Sequence, residues 1–165
     1  MEIMKTIWWV VKELFTQYPL ELFVISFFKY WLIAIHEIGH AVVGAFCGLR
    51  STGIRIGDKP VLTVTIRGYR ITIGRRAHSG HVTFVDEGNF QDTWQVFATY
   101  LAGPLAVIIA GPVFFVLLNP GHWYLAHVYS IVLVLCGFYD LRKTCPDGKA
   151  IRRLWVVLRN PVCAG

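Results

Sequence analysis

Charged residues are scarce in this chain of 165 residues. Asp, Glu, Lys and Arg together make up 16% of it, against about a quarter in an ordinary soluble domain. Residues 93–139 contain none of the four, a stretch long enough for two membrane-spanning helices of about 20 residues each. Disorder, a coiled coil and a nucleic-acid-binding domain are disfavoured, because the net charge of +6 lies on short segments beside apolar runs. The composition predicts a membrane protein that does not bind nucleic acid.

Neither paired cysteines nor a secretion signal is expected from the sequence. The four cysteines show no C-x-x-C spacing, and two of them lie inside apolar runs, so we expect reduced thiols. Residues 1–5 lack a clear basic region, and no small-residue cleavage site follows a short apolar core. We therefore do not expect a removable signal peptide.

Apolar length and flanking anchors predict three membrane-spanning helices, at residues 30–49, 94–118 and 123–139. An Asn-Pro-Gly turn at residues 119–121 separates the last two. Residues 1–28 are expected to form apolar or interfacial helices that either lie on the membrane or add a fourth span. The predicted fold is a single, mainly α-helical membrane domain with a three-span, or four-helix, core.

Residues 50–92 have a different pattern from the spans. Residues 61–67 and 69–73 alternate in polarity and are rich in β-branched side chains, with Gly68 between them. This pattern predicts a β-hairpin, to which residues 54–56 and 81–85 could add two strands. We expect a small membrane-associated β-sheet after the first span.

The basic residues predict how the chain is oriented. Thirteen of the 16 Lys and Arg lie in residues 50–92 and 140–165, which three spans place on the same side of the membrane. The positive-inside rule makes that side cytoplasmic. The β-rich loop and the C-terminal segment, with its short basic helix, are therefore expected in the cytoplasm of a multi-pass membrane protein.

Within the first predicted span, residues 36–40 read H-E-x-x-H. On a helix, His36 and His40 share one face and can bind one zinc ion, while Glu37 can reach the water that the ion activates. Three ionisable groups on one turn of an apolar helix would be costly without such a partner. The pattern predicts peptide-bond hydrolysis with one zinc ion per chain and Glu37 as general base.

A catalytic zinc site usually has three protein ligands, so a third must come from elsewhere in the chain. Asp147 ranks first, because Gly148 beside it lets the backbone approach closely, and Asp140 at the end of the last span ranks second. Weaker candidates are side chains that more often serve other roles: His78, His81, His122, His127 and Cys145. These alternatives stay open on residue type and position alone.

With these motifs in view, the sequence resembles the site-2 protease family of intramembrane zinc metalloproteases. Besides the H-E-x-x-H within an apolar helix, residues 102–106 (A-G-P-L-A) resemble the family's A-G-P-x-A stretch, and residues 79–82 resemble its G-G-Y-V-like loop segment. Residues 146–148 (P-D-G) resemble the L-D-G motif. The resemblance implies that His36, His40 and Asp147 bind zinc and that Glu37 is catalytic.

The chain departs from the family pattern at two positions. Val107 stands where the family usually has Asn, and a second Asn eight residues before the ligand Asp is replaced by Tyr139. These departures motivate an alternative: a proteolytically inactive membrane relative that binds zinc and acts as a partner-binding or regulatory protein. A metal transporter and a di-iron hydroxylase are disfavoured by the few polar groups in the later spans and the scattered histidines.

The leading hypothesis is a zinc-dependent endopeptidase that cleaves membrane-embedded proteins in the lipid bilayer. Its sheet suggests how an unwound substrate could bind, because an exposed strand edge can pair with an extended segment. The alternating pattern places that edge in the hairpin of residues 61–73. A passive sheet that shields the site from lipid is the competing interpretation.

Overall fold

The computed structural model describes residues 2–17, 27–85, 93–118 and 123–159. Five helices and two long strands make up these residues. In chain order they are α1 (Glu2–Gln17), α2 (Phe28–Phe46), β1 (Ser51–Ile66), β2 (Tyr69–Phe84), α3 (Thr93–Leu118), α4 (Trp123–Asp140) and α5 (Pro146–Arg159). The predicted mainly α-helical fold with a small sheet after the H-E-x-x-H helix is confirmed. The expected helices within residues 1–28 lie partly outside the described residues.

Helix α2 ends three residues before the predicted boundary, for a local reason. Gly48 adopts a positive φ of 83°, and its N–H donates to the carbonyl of Ala45 over 3.0 Å. The N–H of Leu49 donates to the carbonyl of Gly44 over 2.8 Å, which completes a Schellman motif. The chain therefore leaves the helix at Cys47 and turns directly into β1.

The sheet consists of two bent strands rather than four short ones. Strands β1 and β2 pair antiparallel, with residues 62–66 opposite residues 69–73 across a tight turn. Arg67 and Gly68 both have positive φ there, which suits a two-residue hairpin loop. Because the strands bend, residues 53–56 pair with residues 70–73 and also with residues 80–83. Residues 62–66 and 80–84 are thereby left as the two outer segments.

Helices α2, α3 and α4 pack closely through small residues. A Cβ added at Gly39 in α2 would lie 2.6 Å from the carbonyl oxygen of Ala102 in α3. A Cβ added at Gly137 in α4 would lie 2.7 Å from the carbonyl oxygen of Pro104 in α3. Since small residues permit such backbone approach, these contacts are typical of helices that associate in membranes. They place α3 between the other two helices.

Helix α3 is the clearest membrane-spanning candidate. Within the described ranges, one helix is long and apolar enough to cross a membrane, Thr93–Leu117, whereas α4 contains a shorter apolar stretch, His127–Asp140. Pro104 and Pro112 lie inside α3, where neighbouring helices can satisfy the freed carbonyls. The three-span core stays a prediction.

Helix α5 begins shortly after α4 ends and packs at that end of the three helices α2, α3 and α4. The N–H of Lys149 donates to the carbonyl of Cys145 over 3.0 Å at its start. Gly148 is buried against the carbonyl of Arg142, and a Cβ there would overlap that oxygen. Farther along, the Trp155 ring packs 5.8 Å from the ring of Phe97 in α3. These contacts fix the first turn of α5, which carries Asp147.

Candidate metal centre

The H-E-x-x-H residues lie in the middle of α2, where helical spacing puts both imidazoles on one face. The rings of His36 and His40 have centroids 4.7 Å apart and are inclined at 77°. Both Glu37, at 5% exposure, and His40, at 9%, are buried. Buried ionisable side chains need polar partners, so this turn of α2 is a candidate site.

Asp147 comes from the first turn of α5 to meet the two imidazoles. Its Oδ2 lies 2.7 Å from His36 Nε2 and 3.6 Å from His40 Nε2. The three ligand atoms all lie within 4.8 Å of one another. In the part of the chain that the structure describes, this is the one group of three His, Cys, Asp or Glu side chains placed to hold a metal ion.

The donor set fits zinc. Ligand atoms at zinc bond lengths of about 2.0–2.2 Å around a tetrahedral ion would be separated by about 3.3–3.6 Å. The distance from Asp147 Oδ2 to His40 Nε2, 3.6 Å, lies at the upper end of that range, and the distance to His36 Nε2, 2.7 Å, is shorter. Three protein ligands also leave a fourth position for water or substrate, as a catalytic site requires.

The two imidazoles favour the ionised form of the Asp147 carboxyl group. Burial by itself would raise its pKa, but hydrogen bonds and charge from His36 and His40 hold the pKa well below its usual range. A carboxylate must be deprotonated to bind a metal ion. The site therefore presents Asp147 in the form that a metal needs.

Each imidazole is also held through its other nitrogen. His40 Nδ1 lies 2.6 Å from the carbonyl oxygen of Thr99 in α3. Because a carbonyl only accepts hydrogen bonds, His40 Nδ1 is the donor, and in the neutral imidazole Nε2 then has a lone pair that can bind a metal. His36 Nδ1 lies 3.2 Å from Asp140 Oδ2 at the end of α4. Both rings thus turn Nε2 towards Asp147.

The geometry separates the two aspartates that the sequence left as alternatives. Asp147 contacts the Nε2 atoms of both histidines, whereas Asp140 contacts only Nδ1 of His36. The two nitrogens of an imidazole point in divergent directions, so Asp140 does not share the Nε2 site. The structure therefore brings Asp147, not Asp140, together with His36 and His40.

The other candidate ligands lie outside this group or cannot be placed. His78, His81 and Cys145 line the same cavity, but their atoms do not join the group of three. The Cys145 thiol instead donates to the carbonyl of Tyr139 over 3.4 Å. His127 packs edge-on against Phe115 with centroids 4.7 Å apart. His122 lies outside the described residues.

A cavity of about 650 Å³ opens on the metal centre. Its walls come from α2, residues 78–84 of β2, the start of α3 and the segment that joins α4 to α5. Glu37 lies in this wall beside Gly80, where an added Cβ would be 2.6 Å from Glu37 Oε1. Only a residue without a side chain lets β2 approach the carboxylate so closely.

The A-G-P-L-A segment of α3 forms the back of the site. A Cβ added at Gly103 would overlap His40 Nε2 and lie 2.7 Å from His36 Nε2. The small residue is therefore required for α3 to pack against both imidazoles. The sequence pointed to this segment by resemblance, but the contact with Thr99 was missed, because no residue pattern marks a backbone carbonyl as a partner.

A helix-borne H-E-x-x-H pair completed by a distant carboxylate is the ligand pattern found in zinc metalloproteases. The model of the peptidase M50B-like family matches residues 3–145, and the chain belongs to that family. The family is membrane-associated, in agreement with the apolar helix α3. Asp147 lies just beyond the matched residues, so its assignment depends on the geometry above.

The chain is also similar to a protein of Agrobacterium fabrum that is named as a zinc metalloprotease. The two are 30% identical over an alignment 112 positions long, and the alignment covers 53% of this chain and 30% of the relative. The chain thus corresponds to less than a third of that protein's length.

Proposed function

We propose that this protein is a zinc-dependent intramembrane endopeptidase that hydrolyses peptide bonds of membrane-embedded proteins. The observation that carries the proposal is the convergence of His36, His40 and Asp147 beside Glu37 in one cavity. Large apolar side chains are exposed on the outer faces of α3 and α4, for example Val116 at 69% and Leu135 at 62%. Such surfaces suit contact with lipid. Membership of a membrane-associated peptidase family supports the same function.

In the proposed reaction, His36, His40 and Asp147 hold one zinc ion. When bound, zinc would supply the Lewis acid that polarises the scissile carbonyl and makes water a nucleophile near neutral pH. Glu37 accepts the proton that the water loses as it attacks the carbonyl carbon, and then gives that proton to the leaving amine. Burial of Glu37 beside Gly80 keeps its carboxylate fixed at the cavity wall.

We further propose that an extended segment of the substrate pairs with the outer edge of residues 80–84. These residues pair with residues 51–56 on one side and line the cavity. The hairpin of residues 61–73 was the expected edge, but its exposed residues 61–68 do not line the cavity. The proposed docking edge is therefore at the other end of β2, at residues 80–84.

An inactive zinc-binding relative is the second function to consider, because two family Asn positions differ. Val107 is 0% exposed and does not line the cavity. Tyr139, at the second of these positions, is 54% exposed and does not line the cavity either. An inactive protein would have no need of a carboxylate at Glu37, and the family assignment favours the enzyme.

Replacing Glu37 tests the proposed function. Glu37→Gln removes the general base but none of the three ligands, so we expect about one zinc per chain and a loss of cleavage of about 100- to 10,000-fold. Zinc is measured in the detergent-purified protein, and cleavage is measured on a membrane-embedded substrate. Glu2→Gln, on the exposed surface of α1, serves as the control and should cleave normally. Full activity of Glu37→Gln would contradict the mechanism.

A further inference from the structure

Asp140 is the last residue of α4 and faces the metal centre without belonging to it. Its Oδ2 lies 3.2 Å from His36 Nδ1, and its side chain is 26% exposed. On the other side of the same ring, His36 Nε2 lies 2.7 Å from Asp147 Oδ2. His36 is therefore held between two carboxylates, one at each nitrogen.

The two nitrogens of His36 must then play different roles. An imidazole that binds a metal ion through Nε2 is neutral and carries its proton on Nδ1. A carboxylate that accepts a hydrogen bond from Nδ1–H fixes this tautomer, fixes the ring orientation and makes Nε2 a stronger donor to the metal. Asp140 has the position and the chemistry for this role.

The two histidine ligands obtain this support in different ways. His40 Nδ1 donates to the backbone carbonyl of Thr99, which no substitution of that side chain removes. The support of His36 comes from a side chain and therefore can be removed. Helix α4 supplies none of the three ligands, but its last residue, Asp140, lines the same cavity.

We propose that Asp140 is a positioning residue of the metal centre, which accepts a hydrogen bond from His36 Nδ1 and thereby presents Nε2 to zinc. The inference rests on the proposed function, since it requires that His36 binds the ion. It assigns Asp140 a role in zinc affinity rather than in the contact with substrate.

The test is a zinc titration of the detergent-purified full chain against a chromophoric chelator, which needs no measurement of cleavage. Asp140→Ala is expected to bind one zinc per chain about 10- to 100-fold more weakly than the unsubstituted protein. Asp140→Asn keeps an oxygen that can accept the hydrogen bond, so its affinity should lie between the two. Lys143→Ala changes an exposed side chain in the same turn and should leave the affinity unchanged.

A second readout separates positioning from mere stability. The visible absorption of the Co²⁺-loaded protein reports the geometry of the ligands, and it should change in Asp140→Ala but not in Lys143→Ala. If Asp140→Ala does not fold, the comparison of Asp140→Asn with the unsubstituted protein decides, and equal affinities there would overturn the proposal.

Three other results have distinct meanings. Equal zinc affinity of Asp140→Ala and the unsubstituted protein would overturn this inference and leave the proposed function intact. Complete loss of zinc from Asp140→Ala, as expected for Asp147→Ala, would make Asp140 a ligand and also overturn it. If the unsubstituted protein binds no zinc, the proposed function fails, and this inference fails with it.

Discussion

At the scale of single residues, the site depends on the missing side chains of Gly80 and Gly103 as well as on its ligands. Glycines at two positions allow main chain from α3 and β2 to lie directly against the histidines and the carboxylate of the H-E-x-x-H motif. The side chains of His36 and His40 are therefore confined by α3, and that of Glu37 is confined by β2. Confinement of this kind orients ligands before a metal ion binds.

Gly103→Ala is the most direct test of this confinement. The new methyl group would overlap His40 and press on His36, so both imidazoles must shift although no ligand is changed. Because a displacement of about 1 Å can cost about 100-fold in rate, we expect a loss of cleavage of that order. Ile109→Ala, at an exposed position of the same helix, is the control. Normal cleavage by Gly103→Ala would show that the packing is not needed.

At the scale of elements, the sheet is expected to act through its edge beside the cavity. Proline removes a backbone donor, so placing it at residues 81–83 should weaken substrate pairing wherever the lost N–H faces the cavity. One lost main-chain hydrogen bond corresponds to roughly a two- to tenfold drop in cleavage. Zinc content should stay unchanged, because the edge carries none of the three ligands.

The opposite edge of the sheet provides the matched control. Val64→Pro lies in the outer segment of residues 62–66, which does not line the cavity, and should leave cleavage near normal. If Val64→Pro lowered cleavage as much as the substitutions at residues 81–83, the sheet would act through its overall stability. Unchanged cleavage at all three positions would favour a passive sheet that shields the site.

Among the helices and strands, the features that depend on local spacing are the ones that the sequence predicted. The i, i+4 spacing of His36 and His40 was sufficient to predict a shared helical face, because that relation is local. The β-branched alternation located the sheet segments, but it could not show that bends join them into two strands, since the pairing is long-range. The end of α2 was misplaced because Gly48 forms a Schellman motif that apolar length does not reveal.

The site itself was predictable only in part, again for a physical reason. Asp147 could be ranked first from its neighbour Gly148, but its choice over Asp140 needed the distances to the imidazole nitrogens. The contact of Asp140 with His36 depends on how α4 packs against α3, which no single segment encodes. The catalytic roles of His36, Glu37 and Asp147 stay predictions until they are measured.

At the scale of the whole molecule, the open question is how the chain crosses the membrane. The concentration of Lys and Arg in residues 50–92 and 140–165 predicts that the sheet and α5 lie on the cytoplasmic side. Both contribute to the same cavity, so they must lie on one side together. The cavity would then open towards the cytoplasm.

Reporter fusions check this orientation. Green fluorescent protein placed at the C-terminus, or in the exposed turn of Arg67 and Gly68, should fluoresce in a bacterial host, whereas alkaline phosphatase at either point should be inactive. The expected result follows from the positive-inside rule for two segments on the same side. Active phosphatase at both points would reverse the orientation, and activity at one point alone would contradict the shared side.

The central claim is that this protein cleaves membrane-embedded substrates and that His36, His40 and Asp147 would hold the zinc ion on which cleavage depends. The most direct measurement is cleavage of a transmembrane substrate in proteoliposomes before zinc removal, after removal by a chelator and after zinc is added back. We predict that removal lowers cleavage to the level of Glu37→Gln and that about one zinc per chain restores it. Cleavage that continues undiminished when no zinc is bound would contradict the account.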